Sequence, residues 1–288
     1  MKTILVATDF TPAATNALQY AVKLARPFNA KVVLYHAYLT ETYIPDFVLL
    51  PTETNLQEQC EKLLQLELQL VDSIDRLNVE IKCEPGFPAD KIIEAAKQYE
   101  ASVIVAGMKK SGKTYRKVFG TTALTLSRKS PVPVLVIPEE CSFVAIKNIA
   151  IASDLRIKNN PDFALPVIEF AERFNSAVYV LNIINEDGGS IIEETETVFD
   201  INWRLRKISP EYKFIKGGNV GVGISNFVSD SQVDILAMVA HPHSIIEKLL
   251  VKSNIKEMMF EGSVPILILP DKVMTPSVNA EGSGAALS

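Results

Sequence analysis

The sequence predicts an α/β fold: two tandem doubly wound domains, each a five-stranded, mainly parallel sheet with helices on both faces, packed as a pseudo-dimer. Three observations predict it. Lys2 to Thr8 (KTILVAT) and Lys31 to Ala37 (KVVLYHA) are apolar runs separated by a helical stretch. Two such strands so close in the chain require a right-handed crossover and parallel pairing. The alternation then continues to five strands and four helices by Pro138, the doubly wound pattern. Finally, the pattern begins again at Lys147.

The elements follow in order. Pro12 to Leu24 reads as a helix, with Ala17, Leu18, Ala21, Val22 and Ala25 on one face and Thr11 as its N-cap before a proline. Tyr38 to Pro51 is an apolar and aromatic loop, expected to cover a sheet edge. Thr52 to Leu77 predicts a long helix whose inner face carries Leu56, Cys60, Leu63, Leu64, Val71, Ile74 and Leu77. Val79 to Cys83 gives the third strand, and Asp90 to Tyr99 the next helix. Val103 to Ala106 is a fourth, fully buried strand. A Gly- and Lys-rich loop follows from Gly107 to Gly120, then a helix from Thr121 to Ser130. Pro131 and Pro133 stop that helix, and Val134 to Ile137 form the fifth strand.

The second copy repeats these signals. KNIAIASDL at Lys147 to Leu155 matches KTILVATDF at Lys2 to Phe10, and SVPILILP at Ser263 to Pro270 matches PVPVLVIP at Pro131 to Pro138. The expected domains are residues 1–140 and 145–271, with a polar tail at 272–288 predicted to lack order. Two similar domains in one chain are expected to pack about a pseudo-two-fold axis. The last strand of each, Val134 to Ile137 and Ile266 to Leu269, is the expected pairing edge should two chains form a homodimer.

Composition narrows the function. The 288 residues are 48% hydrophobic and 22% charged, which fits a globular protein with a sizeable core. A net charge of −5 excludes the strongly basic face of a nucleic-acid binder. No apolar run reaches transmembrane length, and Met1-Lys2 leads straight into a strand, so no membrane association is expected. Three widely spaced cysteines show neither a disulfide framework nor zinc spacing, which predicts a cytoplasmic protein.

A strand that empties into a glycine loop and then a helix N-terminus is suited to hold phosphate. Glycines admit the backbone close to an anion, and the helix start supplies free N–H groups. Lys109, Lys110, Lys113, Arg116 and Lys117 make this stretch basic within an acidic chain.

Taken together, ATDF, KVVLYHAY, the EPGFPAD turn and the glycine loop resemble the universal stress protein family in its tandem form, from Met1 to Pro270. The family's ATP-binding members carry a glycine, two residues, a second glycine, nine residues, then Gly-Ser or Gly-Thr. Here Gly107 takes the first place and Gly120-Thr121 the last pair. Lys110 stands at the middle glycine, with Gly112 two residues on. Its charge either compensates, or its side chain fills the space. The resemblance implies that Gly107, Gly120, Thr121 and Thr122 hold phosphates of ATP, with or without Mg2+, and that Asp9, with Thr8 beside it, and Ala37 hold the nucleoside. It also implies regulation in a stress response through an unidentified protein partner.

An ungapped alignment places Val239 against Gly107, Pro242 against Lys110 and Lys252-Ser253 against Gly120-Thr121. Every loop glycine is lost, so nucleotide is expected in the N-terminal domain only. Asp154 matches Asp9. The glycine run from Gly217 to Gly223 aligns with the turn at Gly86 and lacks dinucleotide-loop spacing.

Three alternatives stand beside this. Gly107 to Thr114 also fits the P-loop pattern GxxxxGK[ST], with Lys113 reaching a phosphate. That would make the chain a nucleotide hydrolase, although a P-loop helix would place Gly120 mid-helix. The second is a dimerisation scaffold that binds no nucleotide. The third is a metal site at His241 and His243, which lack converging partners. No catalytic set is recognisable, so turnover would be limited to slow ATPase activity with Asp9 orienting water. His36 reads as a core or rim histidine, and Trp203 as part of an amphipathic helix from Ile191 to Ile208.

Overall fold

The computed structural model describes residues 1–39, 53–71, 78–111, 116–118, 120–153, 163–184, 205–216, 220–240 and 264–270. In the first half, β1 (Thr3–Ala7), α1 (Pro12–Phe28), β2 (Lys31–Tyr38), α2 (Glu53–Gln69), β3 (Val79–Pro85), α3 (Pro88–Gln98), β4 (Val103–Ser111), β5 (Arg116–Val118), α4 (Thr121–Lys129) and β6 (Val134–Pro138) follow in order. The second half contributes β7 (Asn148–Ser153), α5 (Leu165–Phe174), β8 (Ala177–Ile184), β9 (Glu211–Lys216), α6 (Val220–Asp230), β10 (Ile235–Ala240) and β11 (Ile266–Pro270).

Among the described residues, eleven strands form one sheet in the order β3-β2-β1-β4-β6-β11-β10-β7-β8-β9, with β5 paired to β4. The order reads the same from either end. Apart from the antiparallel β4–β5 pair, pairing is parallel within each half, and the halves meet at one antiparallel seam, where Leu135 of β6 faces Leu267 of β11. The sequence offered these strands as an edge for a second chain. In the structure β6 is held between β4 and β11, so that edge is used within the chain.

Alternation of side chains divides the core into two layers. Ile4 and Val6 of β1 join Ala17, Leu18 and Leu64 on the α1–α2 face, whereas Leu5 and Ala7 join Ile92, Ala95 and Leu126 on the α3–α4 face. Both layers run across the seam. On the first face, Phe28 of α1 meets Phe170 and Phe174 of α5, with ring centroids 5.9 Å apart in each pair. Asn16 of α1 fastens the connection after β6. Its Nδ2 donates to the carbonyls of Pro138 and Cys141, both at 2.9 Å.

Two expectations need correction. The helix predicted to reach Leu77 ends at Gln69, and Ile74 and Leu77 lie outside the described residues. Leu63 was expected inside but is 46% exposed, while Glu67 is buried. The buried stripe is Cys60, Leu64, Glu67 and Val71, at helical spacing.

The Gly107–Gly120 segment is also not a simple loop. β4 runs on to Ser111 and folds back on β5 as an antiparallel hairpin, pairing Lys109 with Val118, Lys110 with Lys117 and Ser111 with Arg116. A P-loop would start its helix at Lys113-Thr114; here a strand follows, and α4 starts at Thr121.

Candidate functional site

β1, β2, β3, β4 and β6 are parallel, so the helices after β1 and β3 start at the same edge, and the β4–β5 hairpin brings the chain back there before α4. β2 and β4 lie on opposite sides of β1, which opens a crevice beyond the strand ends. A cavity of about 270 Å³ lies there. Of the expected residues, Thr8, Asp9, Ala37, Gly107, Gly120, Thr121 and Thr122 all line it. Lys110 lies on β4 opposite Lys117, with its side chain outside what the structure describes. Gly112 and Lys113 lie outside the described residues, as do Asp154, Trp203, Pro242, His241, His243, Lys252 and Ser253.

The turn after β1 is built by side chains. Phe10 takes a φ of 60°, a costly conformation for a residue with a Cβ. The Phe10 N–H donates to Thr8 Oγ1 at 3.0 Å, which holds this turn. Thr11 then caps α1, accepting from the Ala14 N–H, with Pro12 at the first helical position. Asp9 Oδ1 accepts from both the N–H and the hydroxyl of Thr11. Its Oδ2 pairs with Lys109 Nζ at 2.9 Å. Burial pushes the Asp9 carboxyl up, but the Thr11 hydroxyl and Lys109 outweigh it, so the carboxyl sits below its ordinary range.

The sequence reading missed three groups here. Lys109, seen only as one of a basic cluster, brings an ammonium to the cavity wall. His36 also lines the cavity. Its Nδ1 donates to the Thr8 carbonyl at 2.8 Å, which fixes the tautomer, and its ring lies 4.6 Å from that of Phe10. Glu67 lies beneath Thr8 on α2. The Thr8 hydroxyl donates to it at 2.8 Å and the Thr15 hydroxyl at 3.1 Å. Burial raises the Glu67 carboxyl, more than those two hydroxyls lower it, and the nearby Asp9 charge adds to the rise. A glutamate in the last turn of a leucine-rich helix gives no local signal of this.

The two loop glycines do different things. A Cβ on Gly107 would lie 2.4 Å from the Ala13 carbonyl oxygen, so this glycine lets the first turn of α1 pack against β4. Gly120 has an ordinary φ of −60°, and a Cβ there would meet nothing within 4 Å. Its missing side chain leaves the start of α4 open, and no side chain caps it. The first N–H groups of α4 therefore face the crevice with the favourable end of the helix dipole.

Strand registers carry the comparison between halves. Gly107 pairs with Ile137 and Val239 with Leu269, equivalent positions one residue before the closing prolines. Val239 is buried at the place where Gly107 admits the α1 backbone.

Fold and site together define a doubly wound α/β protein of two similar halves, with a polar, anion-suited cavity in the first. Residues 1–138, just under half of the chain, match the model of the universal stress protein family. The stress response protein NhaX of Bacillus subtilis is 25% identical over 160 residues, covering 46% of this chain and 96% of that protein. A universal stress protein of Methanocaldococcus jannaschii is 29% identical over 144 residues, covering 47% and 81% respectively. The crystal structure of a universal stress protein from Archaeoglobus fulgidus aligns over 93% of this chain and 98% of that one. It has a TM-score of 0.68 and 14% identity, a likeness of fold. No helix among the described residues is long and apolar enough to cross a membrane.

Proposed function

We propose that the first half of this chain binds an adenine nucleotide, and that binding regulates a protein partner in a stress response. One observation carries this reading. The open N-terminus of α4, the Lys109 ammonium and the Asp9 carboxylate line the same cavity. Free helix N–H groups and an ammonium suit phosphate. An acidic acceptor suits sugar hydroxyls, and Ala7, Ala37, Ala106 and Ile92 supply apolar wall for a base. The lining residues therefore fit ATP. Gly120, Thr121, Thr122 and Lys109 would hold its phosphates, and Thr8, Asp9 and Ala37 its nucleoside.

Among the described residues, no group of three or more His, Cys, Asp or Glu gathers to hold a metal. Mg2+ would therefore arrive on phosphate oxygens and supply charge neutralisation there. The second half serves as the partner that covers the β6 edge through β11. Occupancy would be read out through the β4–β5 hairpin, which carries Lys109 at its base.

The test is displacement of a fluorescent ATP analogue by ATP, after stripping carried-over nucleotide. Saturable displacement supports the reading. No binding up to millimolar analogue contradicts it, and the chain would then be an interaction scaffold.

A further inference from the structure

The geometry points to Lys109 as the specificity-determining residue of this cavity: it is an exchangeable latch, paired with Asp9 as observed and transferred to a phosphate when a nucleotide enters. This rests on the nucleotide reading above and goes beyond it by naming what selects a phosphorylated ligand over a bare nucleoside.

The backbone under Lys109 is held on both sides. Met108 is the last β4 residue paired to β6, opposite Pro138, and Lys109 is the first paired to β5, opposite Val118. Exchange therefore needs side-chain rotation alone. The pair itself is easily given up. Lys109 is 51% and Asp9 56% exposed, and ion pairs so open to water contribute little net stability. A phosphate offers more negative charge and several acceptor oxygens, and the α4 N-terminus attracts it to the same cavity.

Asp9 is prepared for its half of the exchange. Thr11 fixes Oδ1 through two hydrogen bonds, so only Oδ2 changes partner. Once Lys109 leaves, Oδ2 can accept from a sugar hydroxyl. A nucleoside without phosphate gives Lys109 no new partner and must compete with it for Oδ2. Among the described lining residues, Lys109 is the only lysine or arginine. The same side chain thus favours nucleotides and opposes nucleosides.

Calorimetric titrations of ATP and of adenosine into the full chain test this, using wild type, Lys109→Met and Lys109→Arg. Lys109→Met is expected to weaken ATP about tenfold, the scale of one charge-assisted contact, and to leave adenosine unweakened or tighter. Lys109→Arg is expected to keep the preference for ATP. Added salt should weaken ATP binding to wild type more than to Lys109→Met. Equal weakening of both ligands by Lys109→Met, or no weakening of ATP, overturns the latch while leaving the nucleotide reading intact. Wild type that binds neither ligand overturns both.

Discussion

Thr8 and Glu67 share a buried hydrogen bond of 2.8 Å across 59 residues of sequence. It ties the end of β1, where the cavity starts, to the inner face of α2. Removing the carboxyl would strand the Thr8 and Thr15 hydroxyls beneath the site. Glu67→Ala is therefore expected to lower stability by about 1–3 kcal/mol, the cost of unsatisfied buried groups, measured by denaturant unfolding.

Glu67 also sets a pH dependence. Its carboxyl is raised by burial, so the folded state holds a proton that the unfolded state has already released. Stability from this group is full below the ordinary glutamate range and is lost as pH rises through the raised value. Glu67→Gln keeps a neutral polar group of the same shape. Unfolding curves above that window should show Glu67→Gln gaining on wild type. An unchanged difference across pH would contradict this.

How much of this was legible in sequence depends on the range of the interaction. The apolar runs and the recurring KNIAIASDL and SVPILILP fixed strands, their alternation and the doubling, because burial on both sheet faces leaves a local signature. The strand-end aspartate and Gly120-Thr121 stand out in the sequence, and they line one cavity. Glu67 was not legible, since its burial depends on hydroxyls at Thr8 and Thr15. The hairpin was hidden too. Lys109 to Ser111 carry no apolar alternation, and backbone pairing makes that strand. Gly107 looked like a phosphate glycine, but in the structure it also makes room for Ala13.

The two glycines give opposite predictions. Gly107→Ala sets a Cβ against the α1 backbone and should cost about 1–3 kcal/mol, as overpacking does. Gly120→Val has room and a compatible φ, so thermal unfolding should move little. Its side chain instead occupies the approach to α4, and nucleotide binding should fall. Differential scanning calorimetry and binding, read together, separate the two.

The seam makes a further prediction. Leu135 and Leu267 face each other with no exposure, so Leu267→Ala should cost about 2–5 kcal/mol. Asn16→Ala removes two donors to the connection between halves and should cost about 1–3 kcal/mol. In the second variant, limited proteolysis should cut between Pro138 and Asn148 faster than in wild type.

The central claim is one nucleotide site, in the first half. Calorimetric titration of ATP with Mg2+ into the full chain tests it most directly, with Gly120→Val as the control. The account predicts one site per chain, lost or strongly weakened in Gly120→Val while that variant keeps its fold. Two sites per chain, no heat from wild type, or unchanged binding by Gly120→Val would contradict it.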